Sequence, residues 1–175
     1  AVGDEPRGLD EIRGHLASHV DSAARQTDVR RPFRLPIDRC FIQRGFGTVV
    51  TGTARGDALG DGSAVWIQPL GLASRVRGLQ VHSTPVDTVR AGQRVAVNLA
   101  GVERDDLARG MVVVANPSLR PASILDVEVN LLKSAPAISS GSHVRLSLGT
   151  AEVLAVADAI GGDGLEPGST QWVQL

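Results

Sequence analysis

The cluster Gly45-Phe46-Gly47 is the part of this 175-residue sequence that first suggests chemistry. Glycine loops hold phosphates when backbone N–H groups and the start of a following helix point at the anion. A dinucleotide-binding loop requires a further glycine where this chain has Val50, and the protein-kinase loop fails at the same position. A P-loop requires Gly-Lys-Ser/Thr, and the sequence has no lysine before Lys133. We therefore predict that this chain does not bind GTP through a P-loop and is not itself an enzyme.

These glycines are better interpreted as structural. The residues after them are β-branched, which is typical of a strand and not of a helix. Gly45 and Gly47 permit positive φ, and we expect them to form a corner at which a barrel strand bends. Side chains alternate along a strand, so Thr48, Val50 and Gly52 are predicted to share one face. Gly45, Gly47 and Gly52 are thus predicted to be structural glycines.

The pair Asp38-Arg39 is the most informative charged feature, because it is embedded among apolar residues. Two interpretations are open on the residues alone. The pair is either an exposed ion pair contributing at most about 1 kcal/mol, or part of a pocket for a charged group. Cys40 follows in a predicted strand and is interpreted as a buried, unreactive cysteine.

Other groups that could carry chemistry lack the partners they need. His15 and His19 lie one helical turn apart, but no third metal ligand accompanies them, so we predict a solvated face and no metal site. The neighbours Asp105 and Asp106 cannot converge on one substrate as an acid–base pair must. No nucleophile–base arrangement has supporting context, and we predict no catalytic residues.

The composition limits which partners the protein can bind and in which cellular compartment it is expected. Eighteen basic residues against nineteen acidic ones give a net charge of −1, which disfavours indiscriminate binding to nucleic acid. Cys40 is the single cysteine, so no disulfide forms within the chain. No apolar run approaches the roughly 18 residues of a membrane span. We predict a cytoplasmic protein without a membrane partner.

Periodicity predicts a mainly β fold of two consecutive small β-barrels preceded by one α-helix. The spacing of Leu9, Ile12 and Leu16 predicts a helix over residues 9–23, followed by a polar linker over residues 25–32. Short segments rich in Val, Ile and Thr then alternate with glycine turns, which is typical of sandwiches and barrels. The predicted strands are 48–53, 64–68, 74–82, 93–99 and 111–115, then, after a linker at 116–121, 124–132, 143–148, 152–159 and 171–175.

Residues 33–115 resemble the second domain of translational GTPases of the elongation factor Tu class. The stretch "GFGTVVTGT" is similar to that domain's hairpin, and "AGQRVAVNLAGVERDDLARGMVVV" to its closing strand, one-turn helix and strand. Within the class, "FRLPIDRCFIQRGFGTVVTGT" most resembles selenocysteine-specific elongation factors. Residues 125–157 are similar to their third domain, and "GLDEIRGHLASHV" resembles the last helix of the GTPase domain.

The resemblance implies a division into three parts. Residues 1–32 would be the C-terminal helix of the GTPase domain with a linker, and residues 33–116 a β-barrel like domain II. Residues 117–175 would form a partial β-barrel like domain III, because "WVQL" comes before the final strands of the family. Whether this barrel is truncated, completed by another segment or partly unfolded stays open.

The resemblance also implies a pocket for the selenocysteinyl group, lined by Asp38, Arg39 and Arg109. Ordinary elongation factor Tu has two acids where this chain has Asp-Arg. A selenol is more acidic than a thiol and is a selenolate at neutral pH, so neighbouring guanidinium groups would favour it over the neutral hydroxyl of serine. Four further arginines are predicted to form a basic stripe that contacts the tRNA acceptor arm: Arg75, Arg77, Arg90 and Arg94.

The implied function is that of the non-catalytic, tRNA-binding part of a selenocysteine-specific elongation factor. Its partners would be selenocysteinyl-tRNA and the ribosome, with an mRNA hairpin bound by domains outside this sequence. GTP and Mg would be cofactors of the intact parent GTPase, and this part would need none. The alternatives are domains II and III of another translational GTPase, a flavin-reductase-like β-barrel, or a protein-interaction module.

Overall fold

A computed structural model describes residues 8–24 and 31–175. The helix α1 spans Leu9–Ala24, with Asp10 and Glu11 in its first turn, where the helix dipole favours negative charge. Its apolar residues Leu9, Ile12 and Leu16 are exposed. Most of the predicted linker at 25–32 lies outside the described residues. No helix in the described ranges is long and apolar enough to cross a bilayer.

The strands up to residue 114 form one antiparallel sheet and a short pair beside it. In chain order they are β1 Arg34–Pro36, β2 Arg39–Gln43, β3 Gly47–Thr53, β4 Leu59–Gly60, β5 Ala64–Gln68, β6 Leu72–Val81, β7 Thr84–Val86, β8 Thr88–Val89, β9 Arg94–Leu99 and β10 Val112–Val114. The sheet order is β1-β10-β5-β6-β9-β3-β2, with β7 on β6, while β4 pairs with β8. A one-turn 3-10 helix at Arg104–Asp106 precedes β10, as the sequence predicted.

This sheet closes on itself because its two outer strands, β1 and β2, are consecutive in the chain. Ile37 donates its N–H to Met111 O at 2.8 Å, on the β10 side, and Asp38 donates its N–H to Thr51 O at 2.8 Å, on the β3 side. The chain therefore changes pairing partner between these two residues, and Asp38 lies where the barrel closes. Gly52 permits this approach, since a Cβ there would collide with the carbonyl oxygen of Pro36.

The interior of the first barrel follows the alternation of its strands. Phe33, Leu35 and Ile37 are all essentially inaccessible and anchor one side of the core. On β3, Thr48 and Val50 are buried and Gly52 faces the same way, as predicted. Fully burying each such aliphatic side chain contributes roughly 1.5–3 kcal/mol, so the closed barrel is held by hydrophobic packing more than by its exposed charges.

The glycine cluster forms a hairpin turn, which corrects the expectation of a corner within one strand. Gly45 and Gly47 have φ of 83° and 89°, and Phe46 donates its N–H to Gln43 O at 2.9 Å. The turn joins β2 to β3, and of β2 the sequence predicted only that Cys40 lies in a strand, without bounds.

The strands from residue 126 onward form a second, smaller β unit. They are β11 Asp126–Asn130, β12 Ile138–Ser139, β13 Ser142–Leu148, β14 Ala151–Ala159, β15 Gly164–Leu165 and β16 Thr170–Gln174. A four-stranded sheet has the order β11-β16-β14-β13, and β12 pairs with β15. Its described core comprises Leu131, Ala157, Leu165 and Val173. The described part of the chain is mainly β, with one helix followed by curled, barrel-like sheets.

Candidate functional site

The candidate site is built around Asp38, the residue at which the first barrel closes. Its carboxylate is bound from both sides by arginines that are distant in sequence. Arg94, at the start of β9, donates from Nη2 to Asp38 Oδ2 at 2.7 Å, and Arg109, just before β10, donates from Nη1 to Asp38 Oδ1 at 3.2 Å. The structure therefore brings together Asp38 and Arg109 as predicted, and adds Arg94.

Arg109 also links the two β units. Its Nε donates to Thr150 O at 3.2 Å, and the Thr150 hydroxyl donates to Ile37 O at 2.7 Å. Nearby, the Pro36 ring lies 3.1 Å from where a Cβ on Gly149 would stand, and Gly149 has a φ of 64°. Arg109 thus holds the loop between β13 and β14 against the barrel, and its guanidinium is engaged by protein groups.

Asp38 is ionised at neutral pH. The hydrogen bond from Arg94 is the main cause that holds the pKa of the Asp38 carboxyl below its usual value. Burial opposes it and is the next largest effect, while the positive charges of Arg94, Arg109 and Arg39 also lower this pKa. A fixed carboxylate cannot itself attract an anionic ligand. It orients Arg94 and leaves that cation's remaining donors available.

Arg39 lies beside this cluster without sharing its hydrogen bonds. It begins β2, its side chain is exposed, and among the described residues it donates to no protein group. Arg94 lines an open depression of about 270 Å³ together with Asp38 and Thr150, and a second one of about 340 Å³ with Phe41 and Thr51. Arg94 therefore stands between two recesses, one of which carries an aromatic wall.

The second depression continues along the outer face of the sheet into a smaller recess of about 130 Å³. Gln43 and Gln80 border both, and Phe46 and Asn98 line the smaller one. Two side-chain oxygens on this surface, Thr51 Oγ1 and Asn98 Oδ1, are buried and lack a hydrogen-bond partner. Buried polar atoms are rarely left unpaired in native proteins, and these two lie beneath the surface of this face.

The predicted basic stripe is spread over both ends of the β6–β9 pair. Arg90 and Arg94 lie at or just before the start of β9. Arg75 lies at the other end of the pair, where its backbone carbonyl oxygen accepts the Ala100 N–H. At the usual rise per strand residue, the two ends are about 20 Å apart. Arg77 is the extra residue of a β-bulge between Val76 and Gly78 and lines the smaller recess. Bulges commonly re-aim a side chain next to a functional site.

The remaining residues singled out in the sequence have contacts that suit a structural role. Cys40 is half-buried, and its thiol donates to Leu107 O at 3.3 Å. Arg104 pairs with its own neighbour Asp105. Among the described residues, no group of three or more His, Cys, Asp or Glu side chains is arranged to hold a metal ion, and His15 and His19 join no such group.

Sequence reasoning missed Arg94 as a member of the Asp38 cluster. It assigned Arg94 to the basic stripe, because Arg94 and Asp38 are 56 residues apart and no local pattern links them. The pairing of β9 with β3 was the feature that could have brought the two residues together. Arg94 lies opposite Thr53 on β3, next to Gly52, over which the chain before Asp38 passes.

Comparison with known proteins identifies the class. Residues 45–114 match the family Elongation factor Tu domain 2. This part of the chain therefore belongs to a domain family of the elongation factor Tu class, as the resemblance of residues 33–115 implied.

Its homologues within that class are selenocysteine-specific elongation factors. The factor from Desulfomicrobium baculatum is 42% identical over 171 residues, covering 96% of this chain and 26% of the relative. The factor from Escherichia coli (strain K12) is 36% identical over 126 residues, covering 71% of this chain and 20% of the relative. The chain thus spans about a quarter or less of the length of these relatives.

A solved structure supports the fold. The crystal structure of a bacterial selenocysteine-specific elongation factor EF-Sec superposes with a TM-score of 0.75, covering 96% of this chain and 26% of that chain, at 23% identity. At this identity the likeness concerns the fold alone.

Proposed function

We propose that this chain is the non-catalytic, tRNA-binding part of a selenocysteine-specific elongation factor, which delivers selenocysteinyl-tRNA to the ribosome. The observation that carries the proposal is the pairing of Arg94 with Asp38 beside the unengaged Arg39. Arg94 lines an open recess and Arg39 lies near Asp38 beside it, an arrangement that suits a compact anion, and the homologues are named for the amino acid whose side chain is such an anion.

The arginines have different roles in this proposal. Arg39 and Arg94 contact the selenolate, because Arg94 lines the recess and Arg39, beside it, uses no side-chain donor on a protein group of the described residues. Asp38 is a positioning residue that orients Arg94. Arg109 holds the junction with the second β unit through Thr150 and supports Asp38 from its other oxygen. Compared with the sequence-based assignment, Arg94 is now a pocket residue, and Arg109 is a residue that supports the pocket from outside.

The outer face of the sheet then receives the end of the tRNA. A base stacked on an exposed aromatic side chain gains about 1–3 kcal/mol, and Phe41 and Phe46 border the two connected recesses. Arg75, Arg77 and Arg90 are assigned to phosphate contacts.

Nucleotide hydrolysis belongs to the rest of the intact protein in this proposal. The chain lacks the P-loop motif, so GTP and Mg are assigned to a GTPase domain preceding α1. Residues 33–116 act as domain II and residues 117–175 as part of domain III, working in the cytoplasm. The mRNA hairpin would be bound outside this chain.

The test is a competition between one tRNA carrying selenocysteine and the same tRNA carrying serine, in the full-length protein. Arg39→Ala should weaken binding of the selenocysteinyl form by about 1–3 kcal/mol, the range for a lost hydrogen bond to a charged group. The seryl form should change little, because a neutral hydroxyl gains less from a guanidinium. Equal weakening of both forms would overturn the pocket assignment.

Arg75→Ala is the matched control, since it removes the same side chain from the far end of the strand pair. It should weaken both aminoacylated forms alike and reduce the salt dependence of binding, as expected for a phosphate contact. If neither variant alters tRNA affinity, the proposed tRNA-binding function is wrong.

A further inference from the structure

Arg94 stands between two open recesses whose linings carry different charges. The recess of about 270 Å³ includes the carboxylate of Asp38, and Arg55 and Arg94 also line it. The recess of about 340 Å³, called the His82 recess below, is lined by Arg94 and His82, and among the described residues no acidic side chain contributes to it. A carboxylate repels a second negative charge. An anion that binds Arg94 is therefore favoured in the His82 recess.

His82 lies beside Arg94 at the end of the ladder between β6 and β9. The last pair of this ladder is Val81 with Val95, and the next residues outward on the two strands are His82 and Arg94. Neighbouring strands are about 4.8 Å apart, so two side chains at this end of the ladder are within reach of one ligand. Among the described residues, the exposed imidazole of His82 makes no hydrogen bond to a protein group. Its ring nitrogens are therefore available to a ligand.

The backbone conformation at His82 is unusual for a residue other than glycine. His82 and Ser83 are the two central residues of the hairpin between β6 and β7, with φ of 50° and 64°. In the described part of the chain, they are the only two residues besides glycines with positive φ. A two-residue turn with two positive φ values favours Asn-Gly or Gly-Gly, and residues held in sparsely populated conformations cluster at ligand sites. A role for the imidazole in the recess accounts for a histidine where the turn itself favours asparagine or glycine.

We propose that the selenolate binds in the His82 recess between Arg94 and His82, and that His82 is a specificity-determining residue. This inference rests on the proposed function, to which it adds the recess that the anion enters and a further donor. Imidazole carries at least one N–H group whether it is neutral or charged. A hydrogen bond to an anion is about twice as strong as one to a neutral group. His82 therefore favours the selenolate over the hydroxyl of serine.

The surroundings of the recess agree with an anion at this end. Arg39 is the cross-strand partner of Thr51, which lines the His82 recess, so Arg39 approaches the same ligand from β2. The smaller recess of about 130 Å³ lies further along β9, at Asn98. The terminal base of the tRNA and the anion at Arg94 thus occupy opposite ends of one surface.

The experiment measures, in the full-length protein, the ratio of the dissociation constants of the seryl and selenocysteinyl forms of one tRNA. Contacts that the two forms share cancel in this ratio. His82→Gly should lower the ratio at least about fivefold, because a hydrogen bond to a charged group is lost. Thermal unfolding of this variant should show no loss of stability, because glycine readily adopts a positive φ.

Two control variants separate the imidazole from the turn and from the other recess. Ser83→Gly makes the same backbone change in the same turn, and Arg55→Ala removes a cation from the recess that contains Asp38. Both should leave the ratio unchanged. A ratio lowered by Ser83→Gly as much as by His82→Gly would assign the effect to the turn, and a ratio lowered by Arg55→Ala alone would place the anion beside Asp38. Either result would overturn this inference.

The parent protein distinguishes failure of this inference from failure of the proposed function. If the parent prefers the selenocysteinyl form and His82→Gly leaves the ratio unchanged, His82 is not a specificity-determining residue, and the proposed function stands. If the parent shows no preference for the selenocysteinyl form, the proposed function is wrong in its pocket assignment, and this inference is wrong with it.

Discussion

Arg94 Nη2 lies 2.7 Å from Asp38 Oδ2, although 56 residues separate the two in the chain. The second carboxylate oxygen is bound by Arg109, which also reaches Thr150 of the second β unit. One carboxylate therefore connects the open recess on the barrel to the junction between the two β units. A change at either arginine is expected to alter the other's environment through Asp38.

The two arginines should affect the ionisation of Asp38 unequally. The hydrogen bond from Arg94 is the largest cause of the lowered pKa of the Asp38 carboxyl. Arg94→Gln should therefore raise that pKa toward 3.8 more than Arg109→Gln does. Carboxyl chemical shifts followed through an acid titration by NMR measure both. A larger rise of the Asp38 pKa in the Arg109 variant would show that Arg109, at the junction between the two β units, has the greater effect on this carboxyl.

Asp38→Asn should make stability less dependent on pH at the acid end. Because the pKa of Asp38 is lower in the folded chain than in the unfolded one, ionised Asp38 stabilises the fold above the unfolded pKa of about 3.9. This contribution is lost as the pH falls through the lower, folded pKa. The difference in free energy of unfolding between the parent and the variant should be constant above about pH 5 and shrink below that window, measured by urea unfolding.

Arg94→Ala should impair binding of selenocysteinyl-tRNA more than Arg109→Ala in the full-length protein. We expect a loss of about 1–3 kcal/mol for Arg94 and a smaller one for Arg109, whose donors are engaged by Asp38 and Thr150. Equilibrium binding of the aminoacylated tRNA at fixed salt measures both. The reverse order would restore the sequence-based assignment of Arg109 to the pocket.

Gly52→Ala should destabilise the first barrel by about 1–3 kcal/mol, the usual cost of forcing atoms into a packed region. The added methyl would meet the carbonyl oxygen of Pro36, which is backbone and cannot rotate away. Gly78→Ala is a matched control, since a Cβ there meets nothing within 4 Å. Thermal unfolding of both variants should separate them, and equal effects would argue against the close approach at Gly52.

Residues 122–175 should exchange amide hydrogens faster than residues 33–115. Among the described residues, the core cluster of the first barrel has seventeen buried residues, and the core cluster of the second unit has four. Less buried apolar surface means that opening costs less free energy. Exchange followed by mass spectrometry gives the comparison, and equal protection in the two ranges would contradict it.

The sequence predicted the elements whose signals are local. The helix at 9–23 was correct to within one residue, and the strand at 64–68 matched in full. β1 was missed, and β2 was predicted only at Cys40 without bounds, for physical reasons. β1 has only three residues and ends at Pro36, and β2 is largely exposed, so neither shows the alternation that reveals a half-buried strand.

The candidate site was only partly predictable. The resemblance selected Asp38, Arg39 and Arg109, but the pairing of Arg94 with Asp38 depends on how β2 and β9 both pair with β3. Such long-range strand pairing is not encoded by short-range patterns. Thr51 and Asn98 could not have been selected either, because a hydroxyl or amide without a partner is recognisable only once the surrounding backbone is known.

The position of Asp38 just before β2 has a consequence for how the site forms during folding. Asp38 meets Arg94 only after β2 and β9 have each paired with β3, and contacts between residues so distant in the chain slow folding. The recess that these two residues line therefore exists only once these three strands have paired.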